Sequence, residues 1–227
     1  MTVSQGAGQG ESWIERWWQG RAGAGGRLLW ALTLPAELVF RAGVELRNRA
    51  YDRGTLPKVH PEIPTVSVGN LVVGGTGKTP VTGWIVDRLR DRGHRPAVVM
   101  RGYGQDEVEL HRRWHPDVPV LSAPRKADGV REAVRRGRTV AVVDDGFQHR
   151  ALERSLDFVL MAAEDPVPVR LLPRGPYREP LSSLRRADLV LVTSKGGADE
   201  RRRALTDRLS RLKLPAPVVE LRLRPGG

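Results

Sequence analysis

The residues best placed to do chemistry lie in Val72-Val73-Gly74-Gly75-Thr76-Gly77-Lys78-Thr79. A β-branched run, Thr65-Val66-Ser67-Val68, leads into this glycine-rich turn, and an amphipathic segment follows it. Strand, loop and helix in that order are the context of a phosphate-binding loop. Glycines allow positive φ, which turns backbone N–H groups inward. Those groups, with the N-terminus of the next helix, form an anion site. Lys78 would reach the β- and γ-phosphates of a nucleotide, and the Thr79 hydroxyl would face Mg²⁺. The loop is irregular: the usual pattern has glycine five positions before Gly77, where this chain has Val72.

The second chemical stretch is Asp144-Asp145-Gly146-Phe147-Gln148-His149, at the end of the apolar run Thr139–Val143. Acidic residues at such a strand end hold Mg²⁺ in P-loop enzymes. By itself an Asp-Asp-Gly sequence also suits a helix N-cap or a turn. A third stretch, Arg170–Pro180, gathers prolines, three arginines and Glu179. As pattern alone it is a solvated surface loop.

The elements that must position these residues alternate in type. Strands are expected at 65–69, 96–100, 118–121, 139–144, 156–161, 187–193 and 218–223. Helices are expected at 80–92, after Gly104 to Arg113, at 127–136 and at 199–213. In the 80–92 helix Val81, Trp84, Ile85 and Leu89 are read as one face, with Pro80 starting it and Gly93 ending it. Alternation of strands and helices gives a parallel sheet flanked by helices, whose ligands bind at the carboxyl ends of the strands. The loop at 74–79, the segment Arg101–Glu107 and the turn at 144–149 all fall there.

Residues 1–57 differ in composition. Four of the six tryptophans (Trp13, Trp17, Trp18, Trp30) lie within the first thirty residues. A glycine-rich break at 20–26 separates them from the apolar run 28–44. Pro35, Glu37 and Arg41 interrupt that run, and a membrane span needs about 20 uninterrupted apolar residues. Tryptophan, leucine and flanking arginines suit an interfacial helix in a head-group layer, against the alternative of a helix packed on the catalytic domain. The chain therefore reads as an N-terminal membrane-associated segment, 1–57, and a P-loop domain, 58–227.

The chain carries a net charge of +12, from 38 Lys and Arg against 26 Asp and Glu. This suits an anionic partner such as a phosphorylated lipid or membrane surface. No zinc-finger spacing or aromatic-basic RNA motif supports a nucleic-acid partner. The absence of cysteine rules out thiolate metal sites, disulfides and cysteine nucleophiles.

Several segments together resemble the tetraacyldisaccharide 4'-kinases. They are Val68-Gly69-Asn70-Leu71 with Gly74–Pro80, Arg101-Gly102-Tyr103-Gly104, Asp144–His149, Leu171–Pro180 and Arg186-Ala187-Asp188. The resemblance covers roughly residues 30–195 and implies a P-loop kinase fold. It also implies transfer of phosphate from ATP with Mg²⁺ to the 4'-hydroxyl of a lipid disaccharide. The expected location is the cytoplasmic face of the inner membrane of Gram-negative bacteria. It places the catalytic aspartate at Asp106, with Glu107 as its acidic neighbour and Lys78 on the phosphates. Metal contact is expected from Thr79, Asp144, Asp145 and Glu179, and substrate contact from Arg178, Gln148, His149 and Lys126. The resemblance implies a longer protein whose further part holds a histidine that pairs with the catalytic aspartate, so the sequence is expected to be a fragment or a truncated member, or another group takes that role. His111 and His149 are the local candidates for that role.

Two other functions compete. One is a P-loop ATP- or GTP-dependent enzyme on a soluble substrate, which would need no apolar N-terminus. The other is a membrane-surface nucleotide switch, which would show no acceptor-dependent turnover.

Overall fold

The structure is a computed structural model and describes residues 12–19, 21–74, 76–102, 105–194 and 199–222. Gly75, Tyr103 and Gly104, singled out in the sequence, lie outside the described residues.

Seven parallel strands form one sheet. They are β1 (Thr65–Asn70), β2 (Pro96–Met100), β3 (Val120–Ser122), β4 (Val140–Asp144), β5 (Leu156–Ala162), β6 (Leu189–Ser194) and β7 (Val218–Arg222), in the order β3-β2-β4-β1-β5-β6-β7. The central strands are buried along their whole length, which is why they read as unbroken apolar runs rather than alternating ones. Val68 pairs with Asp144 on one side of β1, and Asn70 with Leu160 on the other. The chain leaves β1 toward one edge and returns past it to β5. That reversal opens a crevice at the carboxyl end of β1, where ligands bind in such sheets.

Helix α4 (Lys78–Asp91), α5 (Gln105–Trp114), α6 (Lys126–Arg135) and α7 (Asp199–Arg211) cover the sheet. Val81, Ile85 and Val86 of α4 pack on β1, β2 and β4 in one apolar cluster. On the opposite face Phe147, Tyr177, Leu184 and Leu209 join Val159 and Val192. Two details depart from the expected pattern. Helix α4 begins at Lys78 rather than Pro80, directly after Gly77 at φ 85°. Proline fits there because a first-turn N–H has no intrahelical partner to lose. Trp84 is mostly exposed, so the buried face runs through 81, 85 and 86 instead.

Ahead of the sheet stand α1 (Trp13–Trp18), α2 (Gly23–Leu32) and α3 (Leu34–Asp52). Ser12 and Glu15 form a reciprocal capping box that starts α1. Helix α2 begins inside the glycine run that was read as a break, and α3 carries Pro35 in its first turn. No helix among the described residues is long and apolar enough to cross a membrane.

These helices grip the domain through polar groups. Trp18 donates its indole N–H to the Pro173 carbonyl (2.9 Å) and Trp30 donates to that of Arg174 (3.1 Å). Glu37 accepts from the Leu171 amide and from Arg174, both at 2.9 Å. Arg170 stacks on the Trp30 ring. The apolar side chains Leu28, Leu32, Leu38, Val39 and Leu46 face outward.

Candidate active site

The P-loop is built by close backbone approach. A Cβ on Gly69 would lie 2.5 Å from that of Phe147, so only glycine lets β1 pass this near the turn after β4. Gly74 and Gly77 adopt φ 123° and 85°, the positive range that the loop needs. Asn70 donates from its side-chain amide to the buried Thr76 hydroxyl (2.8 Å), and the Thr193 hydroxyl donates to the Thr76 carbonyl (3.1 Å). Val72 is buried, Val73 is exposed, and the Val73 amide donates to Pro176 at 2.8 Å. Lys78 and Thr79 stand half-buried in the first turn of α4.

Arg178 ties three segments into one site. Its guanidinium donates to both carboxylate oxygens of Asp145 (2.8 and 3.0 Å), to the Asn70 side chain (2.8 Å) and to the Val72 carbonyl (2.9 Å). Lys78 Nζ lies 3.7 Å from Asp145. Asp145 sits at φ 52°, a conformation that costs a non-glycine residue energy and is typical of functional turns. Burial raises its pKa, but the Arg178 hydrogen bonds and charge, with Lys78 and Lys126, outweigh burial and hold it below the usual carboxylate value. Asp145 thus neutralises both Arg178 and Lys78.

Asp144 is different. It is almost fully buried at the end of β4, and neither carboxylate oxygen has a hydrogen-bond partner. An unpaired buried carboxylate is costly unless a cation or water completes it. The residue fits a magnesium-binding role on that ground. Among the described residues no cluster of three or more acidic, histidine or cysteine side chains forms a metal cage. Mg²⁺ needs none, because it binds through one or two carboxylates, waters and substrate phosphates.

The remaining expected site residues divide. Lys126 is buried against the acidic turn. It donates to the backbone carbonyls of Asp144 (2.5 Å) and Asp145, and so shapes the acidic turn. Burial lowers its pKa to about 8, against the pull of Asp145 and Asp144. Gln148 donates to the Asn70 carbonyl (2.8 Å) and binds that turn to the P-loop. The half-buried His149 is pushed down to about 4 by burial and by the charges of Lys126, Arg101 and Arg154. Glu179 corrects the expectation of a metal ligand. It is fully buried and its carboxylate is taken by Arg186 (3.0 Å), Asn48 (2.9 Å) and Arg47 (3.4 Å). It anchors α3 to the domain.

Asp106 and Glu107 are exposed in the first turn of α5. Among the described residues neither forms a hydrogen bond or ion pair. Asp106 borders a cavity of about 430 Å³ with Gly102, Arg112 and Ser122. Sequence reasoning missed the organising parts of Asn70 and Thr193, and it raised His111 only as a possible partner of the catalytic aspartate. Asn70 directly precedes the loop, which was the available signal.

The model of the LpxK family, tetraacyldisaccharide-1-P 4'-kinase, matches residues 29–115 and 106–226. The chain belongs to this family. A tetraacyldisaccharide 4'-kinase of Anaeromyxobacter sp. (strain K) is 43% identical over 233 residues, covering 92% of this chain and 62% of that protein. One from Anaeromyxobacter dehalogenans (strain 2CP-1) is 45% identical over 214 residues, covering 83% and 56%. The crystal structure of LpxK from Aquifex aeolicus in complex with ATP superposes with a TM-score of 0.68 at 33% identity. It covers 72% of this chain and 58% of that one. The chain thus spans about three fifths of these relatives' length. The fold is that of the P-loop kinases in this family.

Proposed function

We propose that the protein transfers the γ-phosphate of ATP to the 4'-hydroxyl of a tetraacyldisaccharide 1-phosphate. The observation that carries this reading is the unpartnered, buried Asp144 carboxylate beside a P-loop, in a chain of the LpxK family. The loop amides and Lys78 bind the phosphates. Thr79, Asp144 and Asp145 would hold Mg²⁺, which neutralises phosphate charge when bound. Arg178 exchanges Asp145 for phosphate oxygen. The 4'-oxygen attacks the γ-phosphorus, the bond to the β-bridging oxygen breaks, and ADP leaves. Asp106 takes the hydroxyl proton. A loose phosphoryl transition state lets that proton transfer run late.

The acceptor is both anionic and apolar, and two features support it. The outward leucines of α2 and α3 offer an apolar face to the lipid surface, at the cytoplasmic side of the inner membrane. Between the N-terminal helices and α7 lies a cavity of about 690 Å³, with Trp18, Trp30, Met161, Leu181 and Leu205 in its wall and Arg170 among its polar groups. That size and lining suit acyl chains below a charged head group. The test is a labelled-phosphate assay with ATP, Mg²⁺ and the tetraacyl disaccharide 1-phosphate in detergent micelles. Label in the lipid is the expected result. ATP hydrolysis that ignores the lipid would overturn the reading.

A further inference from the structure

Histidine 111 faces Asp144 from helix α5, and the pair is unusual in what it lacks. The imidazole is completely buried, and neither ring nitrogen has a hydrogen-bond partner. Its Nε2 lies 3.6 Å from Asp144 Oδ2, and the carboxylate is equally unpartnered. Trp114, one turn on, meets the ring edge-on with centroids 5.9 Å apart. A histidine buried only for packing would satisfy its nitrogens on nearby backbone, because an orphan donor in the interior is costly. The 3.6 Å gap is slightly too long for a hydrogen bond. A shift of less than ~1 Å would close it to a normal N–H to carboxylate length.

Asp106 stands on the same helix, five residues earlier. Five residues turn the helix by ~140°, so one residue faces solvent while the other faces the sheet. We propose that His111 is a positioning residue, whose Nε2–H holds the Asp144 carboxylate and thereby sets helix α5, with Asp106, against the metal-binding end of β4. This rests on the reading of Asp144 as a magnesium ligand. Hydrogen bonds from outside a metal's ligand set orient the ligands, and their loss lowers metal affinity or activity by about 10- to 100-fold.

The test compares His111→Leu with His111→Gln in the full chain. Calorimetry measures ATP binding with and without Mg²⁺, and circular dichroism verifies the fold. No lipid is needed, so the outcome does not depend on the acceptor. His111→Leu is expected to leave metal-free ATP binding unchanged and to weaken the Mg²⁺-dependent gain by ~10-fold or more. His111→Gln, whose amide N–H can stand at the Nε2 position, should restore most of it. In an Asp144→Asn background His111→Leu should add nothing. An unchanged Mg²⁺ dependence, or an additive double variant, overturns the proposal. Should the leucine variant fail to fold, His111→Asn and His111→Gln decide. Asn reaches only the Nδ1 position, so retention or loss by both alike contradicts a role for Nε2.

Discussion

Around the P-loop charged groups are brought inward and wired to one another, whereas on the N-terminal helices the leucines point outward and only part of the polar set turns toward the protein, with Arg41, Glu45 and Arg49 pairing at the surface. At the P-loop, Arg178, Lys78, Asp145 and Lys126 neutralise each other, and Asp144 is left over. At α2 and α3, Glu37, Arg47, Asn48 and Asp52 hold the domain, and Leu28, Leu32, Leu38, Val39 and Leu46 stand free. The first arrangement stores unmet demand for a cation and phosphate. The second stores unmet demand for an apolar surface. On the function proposed above, the first would serve a soluble donor and the second a lipid acceptor.

The sharpest way to break the contrast is at Glu179, where the regions meet. Glu179→Ala leaves Arg186 and Arg47 without their buried partner. It should cost about 3–5 kcal/mol of stability, read from a denaturant titration. A neutral result would show that α3 is not anchored there. Lys78→Met acts on the inward side alone. Transfer should fall by about 100- to 1,000-fold while the unfolding midpoint stays put. Leu38→Glu with Val39→Glu acts on the outward side alone. Binding to anionic vesicles in a sedimentation assay should drop by roughly 10-fold, with ATP affinity unchanged. If vesicle binding persists, the arginines rather than the leucines hold the surface.

A smaller effect comes from His149. Its folded pKa is lowered to about 4 from the ordinary 6.5. Below pH 6.5 the unfolded chain takes up a proton that the folded one refuses. Stability is therefore full above about 6.5 and falls as the pH drops toward about 4. His149→Gln should flatten that slope. After discounting for partial exposure, the difference is on the order of 1 kcal/mol. A thermal-melt series from pH 7 to pH 4.5 reads it.

The sheet and the P-loop were legible in the sequence because their signals are local. Apolar runs between glycine and proline, and Gly77-Lys78-Thr79 after a strand, need no knowledge of what lies across space. Trp84 was misjudged because spacing alone does not separate residues 81 and 85 from 84 on a tight helix face. Lys126 and Glu179 are legible as important in the sequence, but the partners that hold them are not. Lys126 takes its partners from the carbonyls at the end of β4, 18 and 19 residues on, and Glu179 from α3, 131 residues back, as well as from Arg186 close by. Both side chains are buried, and burial depends on tertiary packing. His111 was visible only as a candidate partner of the catalytic aspartate, and its approach to Asp144 depends on how α5 packs at the end of β4.

The most direct measurement separates binding from chemistry at Asp106. ATP binding by calorimetry and single-turnover transfer to the tetraacyl lipid are measured on the same preparation of Asp106→Ala. The Asp106 side chain is exposed and has no partner among the described residues. The account predicts an unchanged ATP affinity with transfer reduced by about 100- to 10,000-fold, the usual range for a lost proton acceptor. Transfer at the wild-type rate in that variant would contradict it.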